Sequence, residues 1–420
     1  MFTVLSKAVC RASWRRFLCC VLAALLTLAG SMLPALAQGR GTVVPSLTEI
    51  PLGGVVFPAG QGLLSAPPSG ISARGAVLME ASTGDVIYGQ NENARLSMAS
   101  TTKIMTALVA IEALPLDTAV TIPPEAVGIE GSSVYLCEGE VLTMEELLYA
   151  LLLTSANDAA TAIAIAVSGS VESFADRMNE KAESLGLTST HFVNPHGLDD
   201  SEHYTTALEL AIITRAALRD PVFRKICSTA RKTIPLHGDE GVRLLINHNK
   251  LLSSYDGCIG VKTGFTKKTG RCLVSAAERD GVTLIAVTLG APDDWRDHKT
   301  LLDYGFATYE SLALCKPSAF SMPLWLISGV QEYVMVENPS GLSAVLRRDH
   351  GEIRCTVELP RFAFASVMGG EVVGRLRFSE RTADGSLREL GCVDLTACYG
   401  VEEVTYKSSL RNFLRELLFP

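Results

Sequence analysis

The chain has 420 residues, 20% of them charged and 48% hydrophobic, with a net charge of −8. That balance excludes a general nucleic-acid binder, which needs a basic face, and the length leaves room for two domains with cores of their own. The eleven cysteines show no Cys-x-x-Cys and the seven histidines no His-Glu-x-x-His, so no metal or other cofactor is expected.

Residues 1–37 read as a secretory signal peptide. Lys7, Arg11, Arg15 and Arg16 precede an apolar run from Phe17 to Leu33, and Ala35-Leu36-Ala37 fits a small-residue cleavage site. The apolar run is near the lower limit for crossing a bilayer, so an uncleaved anchor is the alternative. Cleavage removes four cations and no acid, which takes the net charge to −12, and it places the rest of the chain outside the cytoplasm, soluble or at the outer membrane face. Cys137, Cys227, Cys258, Cys272, Cys315, Cys355, Cys392 and Cys398 remain. They read as core thiols, with a Cys392–Cys398 bridge left open.

Residues 38–69, rich in Gly, Pro and Ser, read as an irregular linker. Ala76–Glu80 and Val86–Tyr88 flank Ser82-Thr83-Gly84-Asp85 as a hairpin. A helix is predicted from about Ser100 to Leu114, stopped by Pro115 and apolar on nearly all sides, hence deeply buried. Helices follow at 145–154, 158–167, 171–185 and 206–218; strands follow at 257–264, 272–278 and 282–289, and a helix at 297–309 closes a unit spanning residues 70–315. From about 320 to 405 the texture changes to short alternating runs, which read as a small β domain. In the last segment, 406–420, Leu410, Phe413, Leu414, Leu417 and Leu418 share one face of an amphipathic helix. Such a stripe serves equally to lie in a membrane interface and to dock on its own domain.

Ser100 and Lys103 stand one turn apart at the head of the predicted buried helix. A serine hydroxyl needs a base to attack a carbonyl, and a lysine supplies one where a dry pocket or a second cation keeps it neutral. Backbone N–H groups at the helix head suit an oxyanion. Alone, the pair reads as well as a serine cap beside a solvated lysine. Two further stretches can complete a site: Ser155-Ala156-Asn157, offering a hydroxyl and an amide from an interhelical loop, and Lys262-Thr263-Gly264, offering a cation, a hydroxyl and a side-chain-free stretch on a strand.

These three motifs, in this order, resemble those of the penicillin-recognising serine hydrolases. Met98-Ala-Ser-Thr-Thr-Lys-Ile-Met-Thr106, Asn194-Pro-His-Gly-Leu198, Gly260-Val-Lys-Thr-Gly-Phe-Thr266 and the terminal β domain with its helix narrow the resemblance to low-molecular-weight penicillin-binding proteins, serine-type D-alanyl-D-alanine carboxypeptidases. The resemblance implies an α/β (α+β) fold: an antiparallel sheet flanked by helices, an all-helical lobe, a cleft between them, and the β domain following. It implies that Ser100 attacks the bond between the terminal D-alanines of a peptidoglycan stem peptide with Lys103 as base. Ser155 and Lys262 would pass protons to the leaving amine. Asn157 would orient the substrate, Thr263 would bind its carboxylate beside Gly264, and the N–H groups of Ser100 and Phe265 would form the oxyanion hole. Arg296 lies in the segment where relatives supply an arginine for the substrate carboxylate.

Lys268-Thr269-Gly270 repeats the third motif, but Lys262 follows a strand-like approach and is preferred. The alternatives within the superfamily are a DD-endopeptidase or transpeptidase, and a β-lactamase, which is disfavoured because no Glu-x-x-x-Asn lies between Asn157 and Lys262. Outside it stands a non-catalytic cell-wall binding protein. The expected partners are stem peptides, β-lactams and, through the last helix, a membrane surface.

Overall fold

A computed structural model describes residues 48–62, 66–237 and 241–404. The expected signal peptide 1–37 and the amphipathic segment 406–420 lie outside the described residues.

The predicted hairpin and the three later strands assemble into one antiparallel sheet. Its order is Val86–Gln90, Gly75–Glu80, Val282–Leu289, Gly270–Arg279, Cys258–Thr266. Gly75–Glu80 is buried along its whole length, because both faces of the sheet are covered. Ala76 and Leu78 face Leu301 and Leu302 of the helix Asp294–Thr308, whereas Val77 and Met79 join the large core of the helical lobe. The strand carrying Lys262, Cys258–Thr266, is left at the sheet edge, so its outer side is free to meet a ligand.

The helical lobe surrounds Lys103–Ala113, which is buried from Lys103 through Ala110, as its uniformly apolar sequence dictates. Met144–Leu153 opens with a capping box between Thr143 and Glu146. Asn157–Ser168 ends at Gly169 in the left-handed region, and Val171–Ser184 begins at once on the Ser170 cap. One local difference matters for the site. Ser100 sits not in an α turn but in a tight 3-10 turn, Ala99–Thr102, leading into the helix. Thr101 and Thr102 turn their hydroxyls back onto the carbonyls of Met98 and Ala99, which draws the turn in.

The second unit is a seven-stranded sheet in the order Thr48–Phe57, Ile353–Leu359, Val372–Arg381, Leu387–Ala397, Tyr333–Glu337, Ser321–Ile327, Phe362–Phe364. Its core alternates along the strands, with Leu324, Val334, Val336, Val357, Leu376, Phe378 and Leu395 inside. Its first edge corrects the linker expectation for 38–69. Thr48–Phe57 pairs antiparallel with Ile353–Leu359, with a register shift between Pro51 and Val56. Pro51 and the Gly53-Gly54 pair obscured the strand in the sequence, and an edge is where a strand tolerates them. Tyr309–Cys315, assigned in the sequence to the end of the unit 70–315, pairs with Leu342–Arg347 of the β domain in a separate two-stranded sheet. Among the described cysteines none is bridged; Cys392 and Cys398 are both exposed and free. No helix among the described residues is long and apolar enough to cross a membrane.

Candidate active site

The head of the buried helix places Lys103 Nζ within hydrogen-bond distance of three oxygens: Ser100 Oγ at 2.9 Å, Asn157 Oδ1 at 2.7 Å and the His196 carbonyl at 2.6 Å. Asn157 Nδ2 donates to the Glu130 carbonyl, 2.6 Å away, so the amide oxygen is the end that faces the lysine. Two of the three partners therefore only accept. A neutral amine gives its two N–H bonds to them and turns its lone pair to Ser100, whose O–H can donate. Lys103 is wholly buried, and no carboxylate pairs with it. Burial, first, and the nearby Lys262 charge hold its pKa well below that of an ordinary lysine, against the opposing pull of Asp158.

Asn157 reaches this position because it opens a helix directly after Ser155-Ala156. Ser155 is buried with φ +63°, the left-handed geometry that turns one helix into the next. Among the described residues no hydrogen bond joins its hydroxyl to Ser100, Lys103 or Lys262. Asp158, next in line and buried, accepts from Ser133 Oγ at 2.6 Å and from the N–H groups of Val134 and Leu136, both at 3.1 Å. Its carboxylate thus pins the loop whose carbonyls, Glu130 and Ser132, hold Asn157.

From the other side comes the edge strand. Lys262 is buried and donates to the Thr263 carbonyl at 2.7 Å, and burial takes its pKa down to about 7. Gly264 lies flat against the Ser100 turn: a Cβ there would stand 3.1 Å from the backbone nitrogens of Ser100 and Thr101. Thr263 is half-buried and Phe265 exposed, two residues apart and so on the same side of the strand. The second motif copy is placed differently, with Lys268 exposed in the turn after the strand and Thr269 donating to Asp199. Arg296 makes no hydrogen bond or ion pair with these residues. It is exposed in the first turn of Asp294–Thr308, and its partners are Asp293 at 3.2 Å, Asp297 at 3.7 Å and the Gly70 carbonyl.

Several groups that complete the geometry were given no role from the sequence, although His196 and Gly197 lie in the Asn194–Leu198 motif. His196 contributes its backbone carbonyl, which no side-chain pattern encodes. Gly197, at φ +87°, lets its loop press on the Ala99 carbonyl; a Cβ would stand 2.0 Å from that oxygen. His203, buried, accepts from Val193 N–H at Nδ1 (3.1 Å), which puts its proton on Nε2 and aims it at Thr102 Oγ1, 2.8 Å away. Thr102 in turn donates to the Ala99 carbonyl at 2.8 Å. Ala99, at φ +48°, is the residue before Ser100. This chain of bonds holds a strained peptide beside Ser100. Burial keeps His203 neutral, with a pKa of about 4. No cluster of three or more metal-ligating side chains occurs among the described residues.

A serine whose hydroxyl faces a desolvated, uncompensated amine, with backbone N–H groups beside it and a free strand edge alongside, is equipped for acyl transfer. Comparison with known proteins agrees with this chemistry. Residues 63–293 match the family model described as D-alanyl-D-alanine carboxypeptidase. The D-alanyl-D-alanine carboxypeptidase DacF of Bacillus subtilis is 33% identical over 314 residues, covering 72% of this chain and 80% of the relative. DacB2 of Mycobacterium tuberculosis is 37% identical over 239 residues, 55% of this chain and 81% of that protein. Among solved structures, penicillin binding protein 5 from Haemophilus influenzae aligns with a TM-score of 0.60 at 27% identity, over 81% of this chain and 100% of that one. The Streptomyces K15 DD-transpeptidase aligns with a TM-score of 0.55 at 36% identity, over 58% of this chain and 100% of that one. With both units of the fold and more than half of the sequence matched, the chain belongs to the D-alanyl-D-alanine carboxypeptidase family of penicillin-binding serine hydrolases.

Proposed function

We propose that this chain releases the terminal D-alanine of peptidoglycan stem peptides through an acyl-enzyme on Ser100. The observation that carries the reading is the environment of buried Lys103, two fixed acceptors and the Ser100 hydroxyl as the one partner able to donate. Neutral Lys103 takes the Ser100 proton as the oxygen bonds to the carbonyl carbon between the two D-alanines. The tetrahedral oxyanion is received by the N–H groups of Ser100 and Phe265, beside which Gly264 leaves room. As the C–N bond breaks, the amine of the departing D-alanine takes a proton from Lys103, relayed by Ser155 and Lys262. Thr263 and the Lys262 charge hold the substrate carboxylate, and Asn157 orients the amide. Water then attacks the ester, Lys103 again accepting a proton, and Ser100 is freed. The site needs no metal or cofactor in this scheme.

A second reading has a specific motive, since the Streptomyces K15 neighbour is titled a DD-transpeptidase. An amine of a neighbouring stem can replace water at the same ester. The absence of Glu-x-x-x-Asn between Asn157 and Lys262 speaks against rapid deacylation of the β-lactamase kind.

We further place the enzyme outside the cytoplasm after cleavage near Ala37, with catalytic residues 70–315, a β domain at 320–405 joined by the strand Thr48–Phe57, and the stripe at 410–418 available to a membrane surface. The test is D-alanine release from a diacyl-Lys-D-Ala-D-Ala peptide by the mature chain. Release that vanishes in Ser100→Ala supports the reading; undiminished release in that variant, or none in the wild type, sinks it.

A further inference from the structure

The outward face of the β domain is divided in two. On the strands Ile353–Leu359, Val372–Arg381 and Leu387–Ala397 it carries ion pairs, with Arg375 and Arg377 on Glu358, and Arg377 also on Glu389. On the three strands at the far edge it carries none among the described residues. There Trp325 stands opposite Tyr333 on one side and Phe362 on the other, and Ile327 stands opposite Phe364. The rings of Trp325 and Tyr333 meet edge to face at 5.8 Å, as do those of Phe362 and Phe364. All five side chains are between 38% and 55% exposed. A contiguous aromatic surface of this kind, unlike scattered exposed apolar residues, calls for a partner.

The course of the chain indicates which. The last described residues run along this edge. Val330 N–H bonds the Glu402 carbonyl at 2.9 Å, and Val404 N–H bonds the Ser328 carbonyl at 2.7 Å, one residue from Ile327. The chain therefore leaves the domain at the border of the patch. Five residues, 405–409, reach at most about 17 Å, and a helix over 410–418 is about 13 Å long, against about 10 Å across three strands. Charge is complementary as well. Glu332, Glu402 and Glu403 are exposed at this edge without ion pairs among the described residues, whereas the segment bears Lys407, Arg411 and Arg415 against Glu416 alone. An acidic rim opposes adsorption of the patch itself to an anionic bilayer and favours a basic helix.

We propose that the segment 405–420 folds back on its own β domain, laying Leu410, Phe413, Leu414, Leu417 and Leu418 on the Trp325 patch. The inference rests on reading that segment as an amphipathic helix. Because the same stripe cannot lie in a bilayer and on the patch together, docking makes attachment to a membrane a competition rather than a fixture.

Trp325 reports on it directly. In Trp295→Phe it is the only tryptophan of the mature chain. Acrylamide quenching and the emission maximum are compared between that protein and the same chain carrying Leu414→Asp and Leu417→Asp, without lipid. Docking predicts that the double substitution increases quenching and shifts the emission to the red, with release of D-alanine from a soluble peptide unchanged. Identical quenching overturns the proposal. So does protection that grows with protein concentration, which means a second copy covers the patch, or protection that appears only with phosphatidylglycerol vesicles. Flotation with those vesicles separates the two layers of the argument: a wild-type chain that floats while the double variant does not retains the helix reading, even where quenching rules out docking.

Discussion

Replacing Thr102 by Val tests whether the turn before Ser100 is held by hydrogen bonds or merely by packing. Thr102 is fully buried, and valine matches its shape, so the substitution removes only the hydroxyl. It leaves the His203 Nε2–H, 2.8 Å away, without a partner in a dry region, and the Ala99 carbonyl, also 2.8 Å away, with only the backbone bond of the 3-10 turn. An unpaired buried polar group costs about 1–3 kcal/mol, so the loss of stability is about 1–3 kcal/mol. The consequence for chemistry is separate. With Ala99 at φ +48° no longer clamped, the Ser100 turn relaxes away from Lys103, and an acylation rate about 10- to 100-fold lower corresponds to about 1.4–2.7 kcal/mol of lost alignment. Thr102→Ser, which restores the hydroxyl, recovers most of the rate even where the lost methyl group lowers stability. The assay is the second-order rate constant for acylation by a fluorescent penicillin, measured beside urea denaturation for all three proteins. Wild-type acylation in Thr102→Val, or equal impairment in Thr102→Ser, refutes the account of the turn.

Further outcomes follow from the same structure. Gly197→Ala places a Cβ 2.0 Å from the Ala99 carbonyl at a backbone angle alanine resists, so acylation falls by about 100-fold or more while the β domain stays folded, as limited proteolysis and penicillin labelling will report. Arg296→Gln changes D-alanine release by less than about twofold, because that guanidinium is engaged by Asp293 and Asp297; a large rise in KM instead assigns it to the substrate carboxylate. Burial lowers His196 and His298 to about 3 and His203 to about 4, all below the unfolded value of about 6.5. Between pH 6.5 and 5 the unfolded chain thus binds protons that the native chain does not. Stability is complete above pH 6.5 and falls with acidification by about 1.4 kcal/mol per unit for each such histidine. His298→Gln removes one share of that slope in denaturant titrations, and an unchanged slope contradicts the burial argument.

The parts of the site that could be read in the sequence are those encoded by side-chain identity at fixed spacing. Ser100 and Lys103 share a face through local geometry alone. Asn157 and Lys262 come from elements 54 and 159 positions away from Lys103, and only the order of the three motifs suggested that they meet it. What the sequence did not disclose is mostly backbone. The His196 carbonyl, the Ala99 carbonyl and the pressure of Gly197 on it depend on two loops folding against each other. Thr102 and His203 look like an ordinary helix residue and an ordinary loop residue until the bond between them is seen. Long apolar periodicities fixed the helices to within a few residues, whereas Thr48–Phe57 was missed because its partner lies some three hundred residues on and its own composition is that of a loop.

The central claim, a covalent acyl-enzyme on Ser100, is tested most directly by the intact mass of the mature chain after brief exposure to benzylpenicillin, beside Ser100→Ala. The account predicts a persistent adduct of one penicilloyl group in the wild type and none in the variant. An adduct of the same size on Ser100→Ala, or neither an adduct nor any consumption of the drug by the wild type, contradicts it.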